Sequence, residues 1–200
     1  MSGFSSTLPG MTEVSNLASN AVWDFFAGAL NLELTVLPGD RQITVWNLAS
    51  SELIMILNIT GNSSSISTVN RQFTNIPCEL AVYAQGRFQV LTVSNISATS
   101  CVSGSGALAR IETRFPNAIV STSQSDLTIQ AGSIRSFEAA SAPGIEYLWW
   151  IQQMNLVGSQ RQFGPIQFNT PGVFTVTLNV RNTEGLVDPV PKRLNINVVP

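Results

Sequence analysis

The sequence predicts an all-β chain: an N-terminal arm, a β-sandwich or small barrel, and then a second β-sandwich. Three observations predict it. In residues 168–182, Phe174, Val176, Leu178 and Val180 are apolar at every second position, with Thr175, Thr177, Asn179 and Arg181 between them. That is the period of a strand with one buried face. Between residues 31 and 93, short alternating or wholly apolar runs follow one another, separated by Gly, Pro, Asn and Ser, as in sandwiches and small barrels. Residues 100–106 (Ser-Cys-Val-Ser-Gly-Ser-Gly) have the composition of a flexible hinge and divide the chain in two.

Residues 1–30 read as an arm and docking segment. The first twenty are rich in Ser, Thr, Gly and Asn and keep no period, which suits a disordered terminus or an arm that orders against a neighbouring subunit. Residues 12–18 offer a helical turn or two. Residues 21–30 are apolar almost throughout; Gly28 weakens a helix there, and Trp23, Phe25 and Phe26 suit a strand or a docking segment. Leu8, Val14, Leu17, Val22, Trp23, Phe25 and Phe26 all precede the first convincing strand. Each large apolar side chain gains about 1.5–3 kcal/mol on full burial, so these seven must pack on their own domain, on a sister subunit or on a larger surface.

The first β domain is expected over 31–106. Leu32, Leu34 and Val36 alternate with Asn31, Glu33 and Thr35, and Leu37-Pro38-Gly39-Asp40 closes the run with turn chemistry. Ile43 and Val45 begin the next strand. The continuous apolar run 53–59 reads as a central strand covered on both faces, and 60–65 as a loop. Residues 73–77, 80–84 and 88–93 complete the set, with Gln85-Gly86 between the last two. Residues 107–115 follow as a linker, and the second domain occupies 116–200.

Composition removes most chemistry. The chain has no histidine, two cysteines and 11% charged residues, against about 25% in an average soluble domain. A histidine-dependent triad, a His-based zinc site and imidazole catalysis are thereby excluded. Asp24, Asp40, Asp126 and Asp188 are isolated, and Glu13, Glu52 and Glu146 fall in no two-carboxylate pattern. The expectation is a non-enzyme with no cofactor and no metal. A net charge of −2 without a basic cluster argues against nucleic acid. No apolar run approaches the ~18 residues of a membrane-spanning helix.

The same low charge in a chain 44% hydrophobic suits a protein that buries surface in an assembly, or an extracellular β domain. The opening lacks the positive region of a secretory signal, and the first basic residue is Arg41. Export by a signal removed from the chain, or release within a virus particle, is therefore expected. Cys78 and Cys101 either pair in an oxidising compartment or remain two buried thiols. The sequons at Asn58, Asn62 and Asn95 are what chance yields in so Asn-, Ser- and Thr-rich a chain.

In the second domain, Leu127 and Ile129, then Ala131-Gly132-Ser133, then Ile134 and residues 137–142 make two strands joined by a Gly turn. Tyr147-Leu148-Trp149 follows, then Pro171-Gly172-Val173-Phe174-Thr175-Val176-Thr177-Leu178-Asn179-Val180, then 194–198 as a closing strand. Over residues 116–200 this order resembles the polycystic-kidney-disease (PKD) type domains of the immunoglobulin-like sandwiches. The resemblance implies a spacer or adhesion module. Where that family carries an acidic segment after the core Trp, this chain reads Trp150-Ile151-Gln152-Gln153-Met154-Asn155, so no metal role carries over.

In that register Trp149 packs between the sheets. Trp150 and Leu148 point the other way, Trp150 as a sugar-stacking or interface residue or simply one under a loop. Phe163 is a second candidate binding aromatic. Immunoglobulin-like domains are common as phage surface ornaments, and that general resemblance implies a virion protein of the capsid-decoration or minor-capsid class from a tailed bacteriophage. Its partners would be the major capsid protein and copies of itself, as a trimer at local three-fold positions. The alternative is an extracellular adhesion module that binds a surface polysaccharide.

Overall fold

A computed structural model of the chain describes residues 10–60, 65–70, 73, 75–103, 108–117 and 127–200. The fold is all-β, two β-sandwiches in succession. Among the described residues helix is confined to the single turn α1 (Leu108–Glu112) and one 3-10 turn, Gln152–Met154. The chain divides into two compact units, Met1–Arg114 and Phe115–Pro200.

In unit 1 the strands are β1 (Thr12–Glu13), β2 (Ala18–Asp24), β3 (Ala29–Thr35), β4 (Gln42–Asn47), β5 (Leu53–Asn58), β6 (Ser65–Asn70), β7 (Glu79–Ala84) and β8 (Arg87–Thr92). They form a five-stranded sheet in the order β1-β8-β7-β4-β5 and a three-stranded sheet β2-β3-β6. Ile43, Val45, Leu80 and Val82 of the first meet Trp23, Leu30, Leu32 and Leu34 of the second, all in one buried cluster. In the connection between β3 and β4, Asp40 receives the Leu37 N–H and is clasped by both of its carboxylate oxygens to Arg87 Nη2, at 2.8 and 2.7 Å. The charge is nearly enclosed and is neutralised where it sits.

The expected arm over 1–30 is overturned by this arrangement for its described part. Residues 18–24 are a strand paired antiparallel with β3, and Leu17 and Ala18 donate their N–H groups to Gln89 Oε1 at 2.8 Å. Ala21 and Trp23 are core residues because a bulge between Ala18 and Asn20 shifts the alternation that polar Ser19 and Asn20 conceal. Two further expectations are corrected. The run 53–58 is an edge strand, not a central one; it is half-buried along its length because β6 lies beside it, with Asn70 Nδ2 donating to Ile54 O at 3.1 Å. And β6 itself falls in a stretch whose start was read as loop.

The part of the expected linker over 107–115 that is described within unit 1, residues 108–114, also folds back on that unit. Its helix α1 buries Ile111 and Glu112, and Arg114 lies 4.8 Å over the Trp46 ring while donating to Ser51 O at 3.1 Å. This explains why every residue of β4 is buried: Ile43 and Val45 face the sandwich, whereas Thr44 and Trp46 face the cover supplied by this segment. Burial pushes the Glu112 carboxyl above its ordinary range. Burial, and then the nearby Glu112 charge, pushes the Tyr83 hydroxyl upward.

In unit 2 the strands are β9 (Leu127–Gln130), β10 (Ser133–Glu138), β11 (Ile145–Ile151), β12 (Leu156–Gly158), β13 (Gln162–Phe168), β14 (Gly172–Asn182) and β15 (Lys192–Val199). The sheets are β12-β11-β14-β15-β9 and β10-β13. Gly132, at φ 86°, turns the chain from one sheet to the other, as only a residue without Cβ does readily. The alternation of β14 places Phe174, Val176, Leu178 and Val180 in the core with Trp149, Ile151, Ile166 and Phe168. Tyr147 donates its hydroxyl to Ala140 O at 2.9 Å and accepts the Ala142 N–H, pinning the entry to β11.

Candidate functional site

Two surfaces stand out, one on each unit. The first is the tip of the β2–β3 hairpin. Asp24 Oδ1 accepts the N–H groups of Phe26 and Ala27 at 2.9 and 3.0 Å, a local turn closed by a side-chain carboxylate. Gly28 completes it at φ 58°. With the backbone bonded inward, the two side chains point out: Phe25 is 63% exposed and Phe26 is fully exposed at 105%. Beside them lies a depression of about 290 Å³ whose polar wall includes Asn31 and Asn95.

The seven candidate docking residues therefore separate. Phe25 and Phe26 are presented to solvent. Leu17 and Trp23 are corrections: both are buried in the core of their own unit, where Trp23 meets Phe73 edge-on at 5.6 Å. Val14 packs against that same core. Val22 is half-buried and lines the depression. Leu8 lies outside the described residues. Composition had grouped all seven because it does not show which side of a bulged strand a residue occupies.

The second surface is the outer face of the five-stranded sheet of unit 2. Trp149 is buried and Trp150, one residue on, faces the other way and is half-buried. Pairing places Trp150 between Val157 on β12 and Thr177 on β14. Phe163, the other candidate binding aromatic, is a correction. It is buried and stacks on Trp149 with 5.7 Å between ring centroids. The register shift between Arg135 and Phe137, opposite Gly164 and Pro165, interrupts the alternation along β13, which is why its facing was not legible.

Cys78 and Cys101 form a disulfide. It ties the segment after β8 to the segment before β7, where Cys78 N donates to Val102 O and Val102 N to Ile76 O, at 3.1 and 2.9 Å. Among the described residues no group of three or more His, Cys, Asp or Glu side chains is placed to hold a metal.

No protein-family model matches the chain, and no curated protein does. Solved structures resemble it distantly. The fibronectin(III)-like modules of CbhA from Clostridium thermocellum are 13% identical, with 86% of each chain covered and a TM-score of 0.34. Dpr11 immunoglobulin domain 1 bound to DIP-gamma is 11% identical over 95% of this chain and 94% of that one, TM-score 0.33. The three N-terminal domains of the bacteriophage RB49 outer capsid protein Hoc are 13% identical over 85% and 54%, TM-score 0.28.

Proposed function

We propose that the chain is a non-enzymatic structural protein of a virus particle, a capsid decoration or minor capsid protein of a tailed bacteriophage. It docks by unit 1 on the major capsid protein, with unit 2, a PKD-type domain, projecting from the shell. The observation that carries this reading is the Phe25–Phe26 tip. Two adjacent aromatic rings held in water by a turn that bonds only its own backbone are unfavourable in isolation, and covering them is worth about 3–6 kcal/mol at ~1.5–3 kcal/mol each. That is a weak contact singly. Copies joined as a trimer convert it into stable attachment through effective concentration.

The low charge and the disulfide suit a protein whose working place is the outside of a particle in an oxidising medium. The test uses particles stripped of the protein and the full-length chain carrying Phe25→Ser and Phe26→Ser together. Since both side chains are exposed, the variant keeps its fold. Attachment is expected to fall at least tenfold. Unchanged attachment, or attachment lost only when 115–200 are deleted, would overturn the reading.

A further inference from the structure

We propose that the outer face of the five-stranded sheet of unit 2 binds a neutral polysaccharide chain laid flat across β12, β11, β14 and β15, with Trp150 at its centre. The register sets Val157, Trp150, Thr177 and Arg193 in one row across these four strands. Leu148 and Asn179 form the row on one side. Thr175 and Asn195, hydrogen-bonded to each other at 3.1 Å, lie on the other. Val157 is 78% exposed and Leu148 39%, so the apolar strip around the indole is open.

The chemistry of this surface selects the occupant. Its apolar part is one indole with Leu148, Val157 and, further along β14, Val173, far short of the ~800 Å² per partner that a stable protein interface covers. Its polar part is made of the hydroxyl and amide groups of Thr175, Thr177, Asn179 and Asn195, which both donate and accept hydrogen bonds, with the donor-only guanidinium of Arg193 at the β15 end of the central row. Glu146 and Arg181, the charged pair at its margin, neutralise each other, which leaves the face without an acidic or basic cluster beyond the single guanidinium of Arg193. A sugar ring has the complementary pattern: a face of C–H groups that lies on an aromatic ring and a rim of hydroxyls that both donate and accept. Four strands at ~4.8 Å spacing give a platform about 14 Å across, room for a chain rather than a single ring. The proposal rests on unit 2 alone and stands or falls independently of attachment through unit 1.

The test is native gel electrophoresis of the full chain in gels containing dextran, yeast mannan, laminarin or hydroxyethylcellulose, with alginate as a polyanionic control. At least one neutral polysaccharide is expected to retard the protein, Trp150→Ala to weaken that interaction tenfold or more, and Val157→Asp to weaken it several-fold. Val157 is so exposed that its substitution keeps the fold, which leaves the proposal open to refutation should Trp150→Ala unfold. Retardation by none of the four, by alginate alone, or to an extent that both variants leave unchanged overturns it. So does sedimentation showing that Trp150→Ala splits a dimer, since the face would then be covered by a second copy.

Discussion

The indole of Trp149 and the ring of Phe163 lie nearly parallel, 12° apart, and they join the two sheets of unit 2. Trp149 also donates its indole N–H to Gln160 O at 2.8 Å. The stack depends on Gly158, which faces Trp149 in register. A Cβ at Gly158 would come within 2.5 Å of Phe163 Cδ2. Gly158→Ala is therefore expected to destabilise unit 2 by about 1–3 kcal/mol through overpacking. Trp149→Ala is expected to cost about 3–5 kcal/mol, and Trp150→Ala much less. Denaturant midpoints of the three variants check the order; a larger loss for Trp150→Ala would reverse the facing of β11.

Glu112 gives unit 1 a pH dependence. Its carboxyl is held above the ordinary range by burial, so the folded state binds the proton more tightly than the unfolded state. That contribution is fully present below the unfolded value of about 4.3 and is lost as the pH rises through the folded one. At neutral pH the buried carboxylate is a net cost, and its Oε2 has no hydrogen-bond partner among the described residues. Glu112→Gln is expected to raise the thermal midpoint of unit 1 at pH 7 and to flatten its decline above pH ~4. A lowered midpoint at pH 7 would show that the carboxylate is compensated.

Asp40 and Arg87 are expected to behave as a unit. Removing one partner strands the other in a nearly enclosed site, at a cost of about 3–5 kcal/mol. Asp40→Ala should therefore destabilise unit 1 by that amount, and Asp40→Ala combined with Arg87→Met should recover part of the loss. Additive losses in a double-mutant cycle would show that the two do not interact.

Reduction of Cys78–Cys101, or the Cys78→Ser, Cys101→Ser double variant, opens a loop with 23 residues of sequence separation. Chain-entropy reasoning puts the loss near 3 kcal/mol, visible as a lower urea midpoint for unit 1 and no change in unit 2. Equal midpoints with and without reductant would mean that the parallel β-bridge between Pro77 and Val102, with the hydrogen bonds of Val102 to Cys78 and Ile76, already holds the segment.

Legibility followed the burial of faces. β14 could be read residue by residue because one side of it is core and the other is not, and the facing of Trp149 and Trp150 follows from the same alternation. β2 could not, since a bulge shifts its period and two of its buried positions are alanines, whose small side chains scarcely mark a core. The turn α1 was hidden by its Gly- and Ser-rich flank, yet Ile111 is among the most enclosed side chains of the chain. At the candidate sites, Phe25, Phe26 and Trp150 were legible as aromatic residues in suggestive places. That Phe163, Trp23 and Leu17 face inward required the pairing register, which is a property of neighbouring strands rather than of the segment itself.

The first described strand of unit 2 runs parallel to its last, with Leu127 beside Ile196 and Gln130 beside Val199. A pull on the two ends of this unit acts along these strands in opposite directions. Every bond between them is then loaded in shear at once. A pull between Gly172 and Val198, which face each other across the antiparallel pair β14–β15, would instead open bonds one after another like a zip. Single-molecule stretching should therefore record a higher rupture force through the ends than through Gly172 and Val198, so the connectivity that closes the sandwich also makes it a tether along the chain direction.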